Sequence, residues 1–129
     1  MAVNQVKIRE GLTMEKDMKR LIKYPGDEIV VPCPCGESHR FFTVEDGGEL
    51  GLHVTSICGA ESHKHGTITE LYYVLEGTGE IELDGERFEV YPGTVILIPP
   101  GFVHRGIGNF KVIVAYNHPE LHQSDVVHV

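Results

Sequence analysis

Three histidines and one glutamate carry the chemistry written in this sequence. His63, His65 and Glu70 fall in the stretch 59–77, G-A-E-S-H-K-H-G-T-I-T-E-L-Y-Y-V-L-E-G, and His104 closes the stretch 93–104, G-T-V-I-L-I-P-P-G-F-V-H. Three imidazoles and a carboxylate make a full protein ligand set for one divalent metal of borderline hardness: Fe, Mn, Ni, Co or Zn. Along an extended strand residues i and i+2 point the same way, so His63 and His65 share a side and Lys64 faces the other. Glu70 follows a short turn and approaches from the adjoining strand. His104 arrives directly after Pro99, Pro100 and Gly101, which fix how the chain reaches it. Such a set leaves open positions on an octahedral ion, where water, dioxygen or a bidentate substrate can bind.

The elements that must position these residues read as strands. Short β-rich runs cover 29–31, 40–44, 50–57, 70–76, 80–83, 87–90, 95–98 and 111–116, separated by glycine, proline and acidic turns. Asp84-Gly85 between E-I-E-L and E-R-F-E-V is a hairpin signal. Many short strands with closely spaced turns imply an antiparallel sandwich or barrel. One helix is expected over 13–23: Thr13 caps it, Glu15 and Asp17 lie in its first turns, and Met14, Met18, Leu21 and Ile22 form an apolar stripe. Pro25-Gly26 ends it.

These residues resemble a known family. His63, His65, Glu70 and Gly77 match H-x-H-x4-E-x6-G, the first cupin motif, and Gly93, Pro99, Gly101 and His104 match the second, G-x5-P-x-G-x2-H. The resemblance covers roughly residues 40–116. Ile57 stands where the first motif opens with glycine, and Gly108 stands where the second ends in asparagine, with Asn109 one position later. The resemblance implies an all-β fold, the cupin jelly-roll barrel (a double-stranded β-helix), here with the short N-terminal helix. It implies a barrel over 36–129, with residues 1–35 as an N-terminal helix and arm packing on that barrel or on a partner subunit. It also implies a homodimer and a range of activities: dioxygenase, decarboxylase, isomerase, epimerase and lyase-like sugar chemistry. The expected function is a metal-dependent enzyme on a small oxygenated metabolite, of oxygenase or isomerase type. The alternative is a non-catalytic cupin that binds and reports on a sugar or small acid.

Composition bounds the partners. The chain has 129 residues, 41% hydrophobic and 23% charged, which suits one soluble domain. A formal net charge of −8 disfavours nucleic acid and anionic membrane surfaces, which reward cationic patches. No apolar run is long enough to span a bilayer, and the start lacks a signal-peptide core, so a cytoplasmic protein with a small-molecule ligand is expected. Cys33, Cys35 and Cys58 are an odd number and read as ordinary free thiols rather than, with His39, a second metal site.

Strand alternation suggests the pocket lining. If Glu70 faces inward, Tyr72 and Val74 do too, while Leu71 and Tyr73 face out. Phe102 shares the side of His104. Either Val112, Val114 and Tyr116 or Ile113 and Ala115 face inward on the last strand. Tyr72 and His53 are the catalytic candidates; Phe102, Tyr72 and Val74 are the pocket candidates. His53 reads more readily as a solvent-facing or core histidine than as a pocket base. His118, His122 and His128 read as surface residues. Lys64 and Arg105 alternate away from the metal, which leaves few cations in the pocket, Arg40 being the open case, and favours a neutral or weakly acidic ligand over a phosphorylated one.

Overall fold

The computed structural model describes the backbone of residues 5–9 and 12–15 and, with side chains, residues 18–33 and 35–129. Among these the chain is built from eleven strands: β1 (Gln5–Arg9), β2 (Leu12–Glu15), β3 (Ile29–Cys33), β4 (Gly36–Phe42), β5 (Leu50–Cys58), β6 (His63–His65), β7 (Glu70–Leu83), β8 (Glu86–Val90), β9 (Val95–Ile98), β10 (His104–Asn117) and β11 (Val126–His128). β1 and β2 form a separate hairpin; the other nine make one curled antiparallel sheet, a jelly-roll barrel. Among the described residues, no helix is long and apolar enough to cross a membrane.

β10 is the organising strand. It pairs with β7 along nearly its whole length, with β5 from Asn109 to Asn117, and with β6 through His104 and His63. The outer run is β5–β4–β3, and β11 closes on the far side of β6. β7 also carries β8 and β9. The Asp84-Gly85 hairpin forms as a two-residue turn, both residues at positive φ, 49° and 85°. That is the primed turn whose twist matches the strands it joins.

Burial alternates strictly where the barrel needs it. In β7 Glu70, Tyr72 and Val74 are buried while Leu71, Tyr73 and Leu75 are exposed. In β10 the open choice resolves to Val112, Val114 and Tyr116 inward. Val74 and Val112 are cross-strand partners with no exposed surface, packed among Ile57, Ile68, Ile81, Val90, Ile98 and Phe110. Each such side chain contributes about 1.5–3 kcal/mol through removal from water.

Two expectations are corrected. The runs 70–76 and 80–83 are one fourteen-residue strand, not two. Gly77, expected as a turn between strands, lies inside β7: its φ is 83°, and a Cβ there would sit 2.5 Å from the Asn109 carbonyl oxygen. Glycine thus lets β7 bend against β10 without breaking the ladder.

Among the described residues, the expected helix over 13–23 does not form. Residues 12–15 pair with β1, and only Met18–Leu21 makes a 3-10 turn. A short helix draws most of its stability from burying its apolar face. Here Met18, Leu21 and Ile22 are 71%, 56% and 53% exposed, so no surface of the described chain rewards helical spacing.

Candidate metal centre and its cavity

His63 and His65 form β6, Glu70 begins β7, and His104 begins β10. The barrel therefore brings three strand starts to one point. One ligand atom from each of the four residues lies within 4.8 Å of all the others, and all four residues are buried. Glu70 Oε1 stands 3.2 Å from His65 Nε2 and 3.2 Å from His104 Nε2.

The ring orientations are set from behind. His63 Nδ1 donates to the Glu61 carbonyl at 3.1 Å, and His104 Nδ1 donates to the Phe102 carbonyl at 2.9 Å. Each bond fixes the tautomer that leaves Nε2 bare toward the cluster. The Gly101 amide donates to the His65 carbonyl at 2.8 Å, which ties the Pro-Pro-Gly turn to β6. Asp125 accepts from the Thr67 and Ile68 amides at 2.9 and 2.8 Å, holding the turn that separates His65 from Glu70.

The donor set fits a divalent ion. Glu70 Oε1 and His104 Nε2 are fully enclosed yet have no hydrogen-bond partner. Buried polar atoms are nearly always satisfied, so two orphans facing each other mark a place for a cation. Burial by itself would raise the Glu70 carboxyl; the His104 and His65 rings beside it outweigh that and hold it well below the usual carboxylate range. Glu70 is therefore an anionic donor.

A cavity of about 220 Å³ opens from this cluster. Tyr72 and His53, the catalytic candidates, both line it. The Tyr72 phenol is raised well above its ordinary value, first by burial and then by the negative Glu70. His53 is 3% exposed, with Tyr116 Oη 2.8 Å from Nε2 and Ser38 Oγ 3.3 Å from Nδ1. Burial pushes its pKa down to about 3. The other two pocket candidates are placed elsewhere. Val74 sits in the core cluster, and Phe102 is 40% exposed, meeting the site only through its carbonyl.

Four groups join the cavity that the sequence reading placed outside it or left open: His122, Arg40, the Cys33 and Cys35 pair, and His128, which stays 60% exposed at its rim. His122, expected on the surface, stacks on Tyr116 at 4.4 Å and meets His53 edge-on at 5.0 Å. Burial pushes its pKa down to about 4. Arg40 lines the same wall. Cys33 and Cys35 are free thiols facing the cavity; the hydrogen bond between them lowers Cys33 and raises Cys35. His39 is not with them: it bonds Glu28 and Glu37. Nothing in local spacing marks His122, because a 3-10 turn at Pro119–Leu121 returns the chain over the barrel mouth before β11 docks on β6.

Known proteins share this frame. A protein of unassigned role from Methanocaldococcus jannaschii is 45% identical over 65 residues, 47% of this chain and 52% of that one. The L-ectoine synthase of Halomonas elongata is 36% identical over 66 residues, 48% of each chain. The chain thus spans about half the length of the curated relatives it matches. A crystal structure of a protein from Planctomyces limnophilus superposes with a TM-score of 0.73 at 29% identity, covering 81% of this chain and 93% of that one. The model of the cupin domain matches residues 52–116, from β5 to the inner end of β10 with all four cluster residues between, and this chain belongs to the cupin family.

Proposed function

We propose that this protein is a metal-dependent enzyme that moves a proton on a small oxygenated metabolite, chemistry of the isomerase type. The observation that carries the reading is one cavity lined by three of the four cluster residues, His63, His65 and Glu70, and by two neutral imidazoles, His53 and His122. His63, His65, Glu70 and His104 would hold the ion. When bound, a divalent ion supplies Lewis-acid polarisation of a substrate carbonyl or enol oxygen.

The chain's own groups supply the rest. His122 keeps a neutral ring at physiological pH and can accept a proton at a ring nitrogen. His53 is held between Ser38 and Tyr116 and backs the His122 ring edge-on. The Tyr72 hydroxyl stays protonated and can donate to a substrate oxygen. Enclosure by the barrel, with Tyr72 and Val114 in the wall, strengthens each polar contact inside. Resemblance to an enzyme, the L-ectoine synthase, supports catalysis over ligand binding alone.

The same reading includes a homodimer. Leu71, Tyr73 and Leu75 on β7 and Val95 and Leu97 on β9 put an apolar face on the outside of the barrel. Contiguous patches of this kind mark interfaces. Exposed Met18, Leu21, Ile22 and Tyr24 support an N-terminal arm that packs on the partner subunit rather than on its own barrel.

The test is elemental analysis of untagged protein, followed by a screen of small hydroxy-ketones and hydroxy-acids for deuterium uptake from D2O. Wild-type protein should carry about one equivalent of metal. His122→Asn should keep the metal and lose exchange; His104→Ala should lose both. Exchange that survives in His104→Ala, or oxygen consumption in place of exchange, would reject the reading.

A further inference from the structure

Arg40 lies on β4, opposite His53 on β5 and Ile29 on β3. It lines the metal-centre cavity and also an adjoining outer cleft shared with His53, His122 and Gln123. It therefore stands where the inner cavity meets its approach. Its Nε is enclosed, without a hydrogen-bond partner. Among the described residues, no carboxylate forms an ion pair with it.

Among the described residues, no other Lys or Arg has an enclosed side-chain nitrogen without a partner. Arg87 and Arg105 both reach Glu82, Lys111 reaches Glu76, and Lys23 reaches Asp46. Those cations are paired where water already screens them. Arg40 is part-buried, where an uncompensated charge costs most, and it is unpaired. Glu45 and Glu120 line the outer cleft but neither forms an ion pair with Arg40, and Cys33, lowered to about 6 chiefly by its hydrogen bond to Cys35, is close enough for the Arg40 charge to contribute. Glu70 is committed to the histidine cluster. His53, His122 and Tyr116 are neutral, and Tyr116 Oη is already engaged by His53.

We propose that Arg40 is the recognition site for a carboxylate on the substrate, so that the ligand class is small oxygen-rich carboxylic acids. A guanidinium presents paired donors in a plane that matches a carboxylate. Among the described residues, Arg40 is the only Lys or Arg lining the cavity, which suits one carboxylate and not a phosphoryl dianion that needs several donors. A carboxylate on Arg40 leaves the acid's remaining oxygens to reach the histidine–glutamate cluster across a cavity of about 220 Å³. This second half rests on the metal-centre reading; the Arg40 half does not.

Thermal unfolding separates the two. Wild type, Arg40→Gln and Arg40→Lys are each melted as metal-free and as metal-reconstituted protein. The probes are succinate, glutarate, their neutral diamides and inorganic phosphate, at matched ionic strength. Succinate or glutarate should raise the wild-type Tm and the diamides should not. The rise should vanish in Arg40→Gln and survive in part in Arg40→Lys. Without ligand, Arg40→Gln should melt at or above wild type, because it removes an unpaired charge. Equal responses to acids and diamides, a response that persists in Arg40→Gln, phosphate matching the acids, or an unliganded Arg40→Gln that melts more than about 5 °C lower would each overturn the proposal. Metal content on the same samples reports on the other reading: a wild type that binds no metal but keeps an Arg40-dependent acid response overturns the metal centre and supports the carboxylate site.

Discussion

The carboxylate of Asp125 stands 3.8 Å from Nδ1 of His65 while its two oxygens take the amides of Thr67 and Ile68. One side chain thus fixes the turn between two cluster residues and faces the back of one of them. His65 Nδ1 is enclosed and otherwise without a partner. Asp125→Ala should weaken metal affinity about 10–100-fold, as loss of outer supports does elsewhere. It should also cost about 1–3 kcal/mol by stripping two amides of their acceptor. Competition with a chromogenic chelator and urea unfolding measure the two effects. Unchanged affinity would show that the turn holds without Asp125.

Metal binding should stabilise the fold through the same cluster. Ion that binds the folded chain and not the unfolded one adds about 4 kcal/mol when present at about a thousand times its Kd. Chelator should therefore lower the wild-type Tm and leave His63→Ala and His104→Ala unmoved. Equal chelator sensitivity in the variants would place the ion elsewhere.

Buried neutral histidine makes stability fall with acid. The His53 pKa is about 3 in the fold, chiefly through burial, against about 6.5 in an unfolded chain. With the folded value depressed, the unfolded chain takes the proton first. The stabilisation is complete above about pH 6.5 and declines below it by about 1.4 kcal/mol per pH unit for one proton. His122, pushed down to about 4, acts with the same sign. Urea midpoints of metal-free protein should drop between about pH 6.5 and 5, before most carboxylates titrate. His53→Asn should flatten that slope. A slope identical to wild type would mean that His53 is already protonated in the fold.

The outer face of β7 and β9 gives a prediction about assembly. Leu97 is 60% exposed and pairs across the ladder with Leu71, 44% exposed. Light scattering should find a dimer for wild type and a monomer for Leu97→Glu, with the same circular dichroism. A monomeric wild type would reject this face as an interface.

What was legible in the sequence follows from range. His63 and His65 were readable as a pair from strand alternation, Glu70 and His104 joined them through the spacing of the two cupin motifs, and Tyr72 and the outward Leu71 and Tyr73 followed from the period of two. His122 and Asp125 were not, because their placement depends on β11 docking to β6 some sixty residues back, a contact no local pattern encodes. The helix over 13–23 misled because its apolar spacing was real but had no surface to bury against. Gly77 stands between two runs that read as separate strands, but its positive φ serves a bend inside one long strand rather than a chain reversal.

β6 has ladder neighbours on both sides, β10 and β11, and both follow it in the chain. As the polypeptide leaves the ribosome, His63 and His65 emerge well before the strands that flank them. At that stage the pair is a loose chelate with little power to choose an ion. The four-donor geometry needs β7 and β10, the second of which sets His104 opposite His63. Any ion that the cluster holds would then be selected by the folded barrel rather than by the growing chain.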